Sequence, residues 1–382
     1  MWQRRVRLKA MKIRNFVLNI HSIIGIFLGL IFVMSGLTGS AIVFREEADR
    51  ALNQTLMQVT PQPKKASIDR IFDSVQQAYP NLRDPLIRFP KTPEDTYNFG
   101  GHLPDENHLE VYVNPYTAKV LGSRVWERSF IGFMHTLHYT LFLKKPGHMT
   151  MGFVAVLLLL TTITGTLLWS GWRNLKIGFK IRWRAPAPLL NYDLHNVGGI
   201  LTTILLSILA FTGSVIIAAQ FLLGGAGQPE AKPLPSQTQT PIALSQLIQK
   251  ADAALPGGKI SYVQFPEDQA NKLVIQKRFP EQKTGHFDFS AVEIDRFTGK
   301  VLKAEKVLEP NPVFKVLLVI VNLHYGTFGG IFTRILYVFI GLMPAVLLIT
   351  GLVIWKRRRW RMERGESASQ LWAEETQSNR LS

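Results

Sequence analysis

Four of the nine histidines in this 382-residue chain recur in register. His138 stands in "FMHTLHYTLF" (Phe133 to Phe142) and His324 in "VNLHYGTFGG" (Val321 to Gly330), both inside Leu-His-Tyr. His21 and His195 each have a glycine four residues on, Gly25 and Gly199, and seventeen residues beyond each of them stands Thr-Gly-Ser, at Thr38 and Thr212. A neutral imidazole offers a nitrogen lone pair to a metal, so histidines repeated in pairs point to metal or cofactor ligation. One such histidine near a helix end is usually a polar interfacial residue; four in register need a shared explanation.

The elements that must position them are membrane helices. The chain is 47% hydrophobic with a positive mean hydropathy. Its apolar residues are blocked: Phe16 to Phe44, Met149 to Trp172, Leu194 to Leu223 and Ile335 to Trp355 contain no Asp, Glu, Lys or Arg. Each run exceeds the roughly 20 residues that cross a bilayer as a helix. Short basic segments precede the first span (Arg4 to Arg14), join the second and third (Arg173 to Arg184) and follow the fourth (Lys356 to Arg361), which places all three in the cytoplasm. Much of the net charge of +17 is then a topology signal and an attraction to the lipid bilayer, not a nucleic-acid surface. The first apolar run is about twice the length of a signal-peptide core, and although "GSA" at Gly39 to Ala41 looks like a processing site, the repeat argues that the span is retained. No cysteine is present, which suits an oxidising compartment and excludes thiol chemistry, Cys-ligated clusters and c-type haem attachment.

The halves match elsewhere too. "VYVNPYTAKVLG" (Val111 to Gly122) pairs with "VEIDRFTGKVLK" (Val292 to Lys303), and "TGTLLW" (Thr164 to Trp169) with "TGLVIW" (Thr350 to Trp355). The expected order is a basic N-terminus (1–15), a span (16–44), an external domain (45–128), an interfacial Leu-His-Tyr helix (129–148), a span (149–172), a basic loop (173–193), a span (194–223), a linker with a second external domain (224–309), a second interfacial helix (310–330), a span (331–355) and a tail (356–382). Two spans per unit make these parallel repeats about an axis along the membrane normal. The fold class is thus a membrane α-helical four-helix bundle of two parallel repeats, each with a small α+β external domain whose helices read from "SIDRIFDSVQQAYP" and "ALSQLIQKADAALP".

His21 and His195 share a depth near the inner face, and His138 and His324 a depth near the outer one. The axis can therefore bring each pair together, with Gly25 and Gly199 letting a flat ring lie close to the backbone. Zinc or copper sites commonly gather three or four ligands, and carboxylates are nearly absent from these spans; two axial nitrogens beside small residues fit b-type haem better, giving two stacked haems. His135 lies one turn before His138, but Val321 fills its counterpart position, so it stays open as an alternative ligand, a proton donor, a substrate contact or an interfacial residue. His148 corresponds to Arg334, both at outer ends of spans, where they are candidates to neutralise haem propionates or to snorkel. His102, His108 and His286 read as exposed loop residues. No acid–base pair, nucleophile motif or carboxylate cluster stands out in the external domains, and the glycines of "LLGGAGQ" lack the strand and helix of a dinucleotide fingerprint. No cytoplasmic segment is long enough for a flavin or nicotinamide domain, so the electron donor is expected to be a quinol or another protein.

The span order, the basic ends, the "NPYTAKVLG" and "DRFTGKVLK" signatures and the Leu-His-Tyr segments resemble the PepSY-associated transmembrane family, and within it the siderophore-iron reductases of the bacterial inner membrane, the ferrioxamine type included. That resemblance implies PepSY-like periplasmic domains, both termini cytoplasmic, two b-type haems ligated by His21, His138, His195 and His324, and outward electron flow to a ferric siderophore, a hydroxamate among the candidates. It leaves open whether His138 or His135 serves the outer haem. Two other readings compete: a non-redox siderophore-binding or permeation protein, and a regulatory membrane anchor whose external domains inhibit a peptidase.

Overall fold

The computed structural model of the protein describes residues 2–104, 107–224, 240–266, 271–282 and 288–363. Most of the linker expected from Gly224 to Pro241, the tail beyond Glu363 and His286 lie outside the described residues. In chain order the elements are α1 (Trp2–Ile42), α2 (Arg45–Leu52), α3 (Gln54–Met57), α4 (Ile68–Ala78), β1 (Arg83–Arg88), β2 (Tyr97–His102), β3 (His108–Val113), β4 (Val120–Val125), α5 (Phe130–Thr140), α6 (Lys144–Leu168), α7 (Leu175–Gly178), α8 (Ala187–Gly224), α9 (Leu244–Ala254), β5 (Lys259–Gln264), β6 (Lys272–Arg278), β7 (Ser290–Asp295), β8 (Val301–Glu305), α10 (Pro312–Tyr325) and α11 (Gly330–Glu363). They fall into two compact units, one drawn from 1–43, 134–219 and 320 onward, the other from 44–133 and 220–319.

The first unit is helical. Stretches of α1, α6, α8 and the segment containing α11 are long and apolar enough to cross a bilayer, over Met11–Ile42, Lys144–Leu168, Ala187–Leu222 and Thr327–Arg361. These helices outrun the charge-free runs. Helix α6 begins at Lys144, before the span start expected at 149, and α11 continues through Lys356 to Arg359, because long basic side chains can reach the headgroup layer while their backbone stays helical. Helices α1 and α11 cross at glycine: a Cβ at Gly36 would stand 2.2 Å from the Gly341 carbonyl oxygen, and the Ser40 hydroxyl donates to the Val338 carbonyl at 2.9 Å. Close backbone approach through small residues is how helices gain packing where lipid removes the hydrophobic drive. Helices α6 and α8 instead meet through side chains, with the Ser207 hydroxyl donating to Thr162 Oγ1 at 2.8 Å and Ile217 set against Gly152.

The second unit is an antiparallel eight-stranded sheet of order β4-β3-β2-β1-β5-β6-β7-β8. At its centre Leu86 faces Gln264, Ile87 faces Val263 and Arg88 faces Tyr262, a register that reads the same from either strand. Alternation along the strands sends Ile87, Phe99, Val111, Val263, Ile275 and Val292 into one core, where Ile71 and Val75 of α4 and Leu247 and Ala251 of α9 meet them. The two signature segments fold as the same turn. Asn114 Oδ1 accepts from the amides of Tyr116 and Thr117, and Asp295 Oδ1 from those of Phe297 and Thr298. Ala118 and Gly299 then take the left-handed region at φ 58° and 68°.

On the other side of β3 and β4 a buried ionic network forms. Arg124 donates to both Asp49 oxygens at 2.6 Å and lies 2.7 Å from Glu110, while Tyr112 donates to Glu110 at 2.9 Å. Asp49 belongs to α2, so a charge cluster binds that helix to the sheet.

Candidate functional site

The helical unit brings the four repeated histidines together two by two. The rings of His21 on α1 and His195 on α8 have centroids 6.3 Å apart with planes at 83°. Those of His138 on α5 and His324 on α10 have centroids 6.4 Å apart with planes at 48°. His21 and Thr38 lie seventeen residues apart on α1, about 25 Å of helical rise, and Thr38 touches His138. The pairs therefore sit at opposite ends of the bundle.

Every one of the four rings is held in the same way. His21 Nδ1 lies 3.1 Å from Thr164 Oγ1 and 3.2 Å from the Thr161 carbonyl; His138 Nδ1 lies 3.2 Å from Thr38 Oγ1 and 2.9 Å from the Ser35 carbonyl. His195 Nδ1 lies 3.0 Å from Thr350 Oγ1, and His324 Nδ1 the same distance from Thr212 Oγ1. Each threonine already donates its hydroxyl proton to the carbonyl four residues back, Leu160, Met34, Val346 and Ile208 respectively. A hydroxyl whose proton is spent, like a carbonyl, can only accept. The proton of each imidazole is therefore on Nδ1, and Nε2 carries the lone pair, the tautomer a metal-ligating histidine needs.

Behind each threonine stands a glycine. A Cβ at Gly39, Gly165 or Gly213 would lie 3.1 Å from Cε1 of His138, His21 or His324, and one at Gly351 would lie 3.2 Å from Cε1 of His195. Four Thr-Gly dipeptides thus form four seats, the glycine giving the imidazole its approach and the threonine fixing its proton. The sequence carries this signal, since all four dipeptides belong to the matched segments, yet nothing in one-dimensional spacing links Thr164 to His21 or Thr350 to His195.

The glycines singled out from the sequence behave differently from those seats. A Cβ at Gly25 would meet nothing within 4 Å, and one at Gly199 would touch only Leu347, at 3.9 Å. The backbone next to the His21–His195 pair is thus open to a flat group.

The ring of His135 stacks on Tyr139 with centroids 5.5 Å apart, and Tyr139 in turn contacts the ring of His148 at 4.3 Å. Arg334 donates to the Val43 carbonyl just past the end of α1, at 2.8 Å through Nη2. In the sheet unit, His102 and His108 face each other across β2 and β3 with centroids 5.5 Å apart, and burial holds the His108 pKa below its ordinary value. Among the described residues no group of three or more His, Cys, Asp or Glu converges as a metal site. Within the helical unit the described residues form two facing imidazole pairs.

No curated protein matches the chain. The family model described as PepSY-associated TM region matches residues 18–358, and the chain belongs to that transmembrane family.

Proposed function

We propose that this protein is a di-haem electron-transfer protein of the bacterial inner membrane that reduces a ferric siderophore on the periplasmic side. The observation that carries the reading is the geometry of the two imidazole pairs. Two imidazoles that bind one metal from opposite sides, with metal–nitrogen bonds near 2.0 Å, have ring centroids roughly 6 to 6.5 Å apart, and both pairs match that separation. The donor set fits as well, since four Nδ1–H groups are engaged and, among the described residues, no third His, Cys, Asp or Glu joins either pair. The absence of any atom within 4 Å of a Cβ at Gly25 is consistent with a flat ring lying against that backbone.

His21 and His195 would hold the inner b-type haem and His138 and His324 the outer one, each supplying reversible one-electron iron chemistry when bound. The chain's own contribution is to hold the imidazoles rigid through Thr38, Thr164, Thr212 and Thr350, and to keep the pairs in an apolar surround near opposite membrane faces. The basic segments support cytoplasmic termini and a periplasmic sheet unit. The symmetrical central register and the strand order that reads alike from both ends support two parallel repeats with PepSY-like domains. A quinol or a donor protein supplies the electron, and Fe(III) in the siderophore accepts it to become Fe(II), which hard oxygen ligands hold less tightly. The choice of siderophore as substrate rests on the resemblance to siderophore-iron reductases. His135, stacked on Tyr139 with His148 beyond, is the group at the outer end that breaks the repeat and is proposed to meet substrate or deliver a proton. His148, whose ring contacts Tyr139, and Arg334, which donates to the Val43 carbonyl, are the candidates to neutralise the propionates of the outer haem.

The test is the haem-to-protein ratio and the visible spectrum of the purified full chain. Two b-type haems per chain, falling toward one in each of His21→Ala, His138→Ala, His195→Ala and His324→Ala, support the reading. A colourless protein, or four variants that keep the wild-type ratio, would end it.

A further inference from the structure

The segment joining α6 to α8 is folded, and it displays its apolar side chains outward. Asp193 accepts from the Arg182 backbone amide, Nε and Nη2 at 3.0, 2.9 and 2.7 Å. Asn196 donates to the Ser170 hydroxyl and the Gly178 carbonyl, and buried Trp169 donates to that same carbonyl. The fold is tight enough that a Cβ at Gly171 would fall 2.2 Å from the Trp169 ring. Yet Trp172, Leu175, Phe179 and Trp183 are 64%, 62%, 48% and 70% exposed. A segment this well tied had the means to bury them, so their display needs a partner.

Its charge is one-sided. Between Arg128 and Tyr192 the sequence has no Asp or Glu, and from Trp169 to Asp193 five cations, Arg173, Lys176, Lys180, Arg182 and Arg184, face one carboxylate that Arg182 already binds. Arg173, Lys176 and Arg184 are exposed among the displayed apolar rings. The segment leaves one span at Leu168 and enters the next at Ala187, and the Trp172 indole donates to the Thr166 carbonyl at 2.6 Å, on the last turn of α6. Its rings are therefore at the end of the span, at the depth where lipid headgroups meet acyl chains, the usual place for tryptophan next to basic residues.

We propose that this segment is a binding surface for anionic phospholipid, with Arg173, Lys176 and Arg184 on the headgroup phosphate and Trp172, Leu175, Phe179 and Trp183 among the upper acyl carbons. The inference is independent of the haem reading. It also gives α8 a fixed start, because Asp193 and Asn196, which hold the segment, flank His195.

The experiment uses the full chain in nanodiscs of phosphatidylcholine, with brominated phosphatidylglycerol or brominated phosphatidylcholine replacing part of the lipid, and reads tryptophan quenching. Brominated phosphatidylglycerol should quench at lower mole fraction, and Trp172→Phe with Trp183→Phe should remove the excess quenching. Each basic residue contributes up to roughly fivefold in preference for anionic lipid. The triple change Arg173→Gln, Lys176→Gln, Arg184→Gln should therefore abolish the difference, and Lys176→Gln alone should lower it should the triple variant fold poorly. Inorganic phosphate should leave the preference intact, since the site needs the acyl chains. Equal quenching by the two lipids would overturn the proposal and leave the surface to an acidic protein. Loss of the preference on adding phosphate, or its survival in both charge variants, would overturn it equally.

Discussion

Replacing Thr350 with valine isolates what a single seat contributes. The side chain is 4% exposed, and valine keeps its shape while removing the oxygen that His195 Nδ1 contacts at 3.0 Å. Removing an outer-shell partner of a ligating histidine typically costs 10- to 100-fold in metal affinity. The lower end of that range is about tenfold, or roughly 1.4 kcal/mol. If the proposed inner haem is bound there, the freed Nδ1–H would also make the imidazole a poorer donor to oxidised iron and raise the potential by a few tens of mV, given about 59 mV per tenfold for one electron. The assay is haem retention against an excess of a haem-scavenging protein, together with a redox titration of the split b-type bands. Only the inner component should move; Thr350→Ser should restore it, and Thr212→Val should move only the outer component. A Thr350→Val protein with unchanged retention and potential, or one in which both components shift alike, would refute the assignment of threonine as the group that fixes the ring.

Other expectations are as direct. Gly36→Val should weaken the α1–α11 crossing by about 1–3 kcal/mol, because the added carbon meets backbone at Gly341 that has no rotamer to change; thermal melts in detergent read it, and an unshifted melt would refute it. Arg124→Ala leaves buried Asp49 without a cation and Glu110 with Arg88 alone, at 3.3 Å, and should cost about 3 kcal/mol, much of it recovered by adding Asp49→Asn and Glu110→Gln. His108 is held below its ordinary 6.5 by burial first, with Arg88 and His102 acting the same way and Glu110 and Glu127 opposing. The unfolded chain therefore binds the proton before the folded one as pH falls through 6.5, so stability is full above that pH and declines below it until the folded pKa is passed. Melting at pH 7.5 and 5.5 should show the decline, and His108→Gln should reduce it.

Much of the fold was legible because two kinds of signal are local. Uncharged runs of membrane length and clustered cations mark spans whatever their neighbours do, and Asn114 and Asp295 announce their turns through bonds made two and three residues away. The paired histidines were legible for another reason, as the matched positions put His21 with His195 and His138 with His324 at common depths. What stayed hidden depends on contacts between distant segments. Thr38, Thr164, Thr212 and Thr350 look like ordinary span residues until helix packing sets them against rings over a hundred residues away. The bond from Arg334 to the Val43 carbonyl was equally hidden, and the continuous sheet rests on β1 meeting β5 through a register that no spacing encodes.

Strand β1 ends up in the middle of its sheet, yet it is built like a border. It carries Pro85, the charges Arg83, Asp84 and Arg88, a left-handed Asp84 at φ 49° and a register break between Arg83 and Leu86, the devices that proteins place on strands whose hydrogen-bonding side is bare. Synthesis explains the choice. Its neighbour β5 begins 176 residues later than β1, so at 5–20 residues per second one side of β1 waits about 9 to 35 seconds for a partner. In that interval α6 and α8 must enter the bilayer while a half-made sheet stands with an open margin. The proline, the bulge and the charges would protect the nascent chain from pairing with a stranger, and they are tolerated afterwards because Leu86, Ile87 and Arg88 still pair with β5 and the Pro85 carbonyl still accepts from the Phe265 amide.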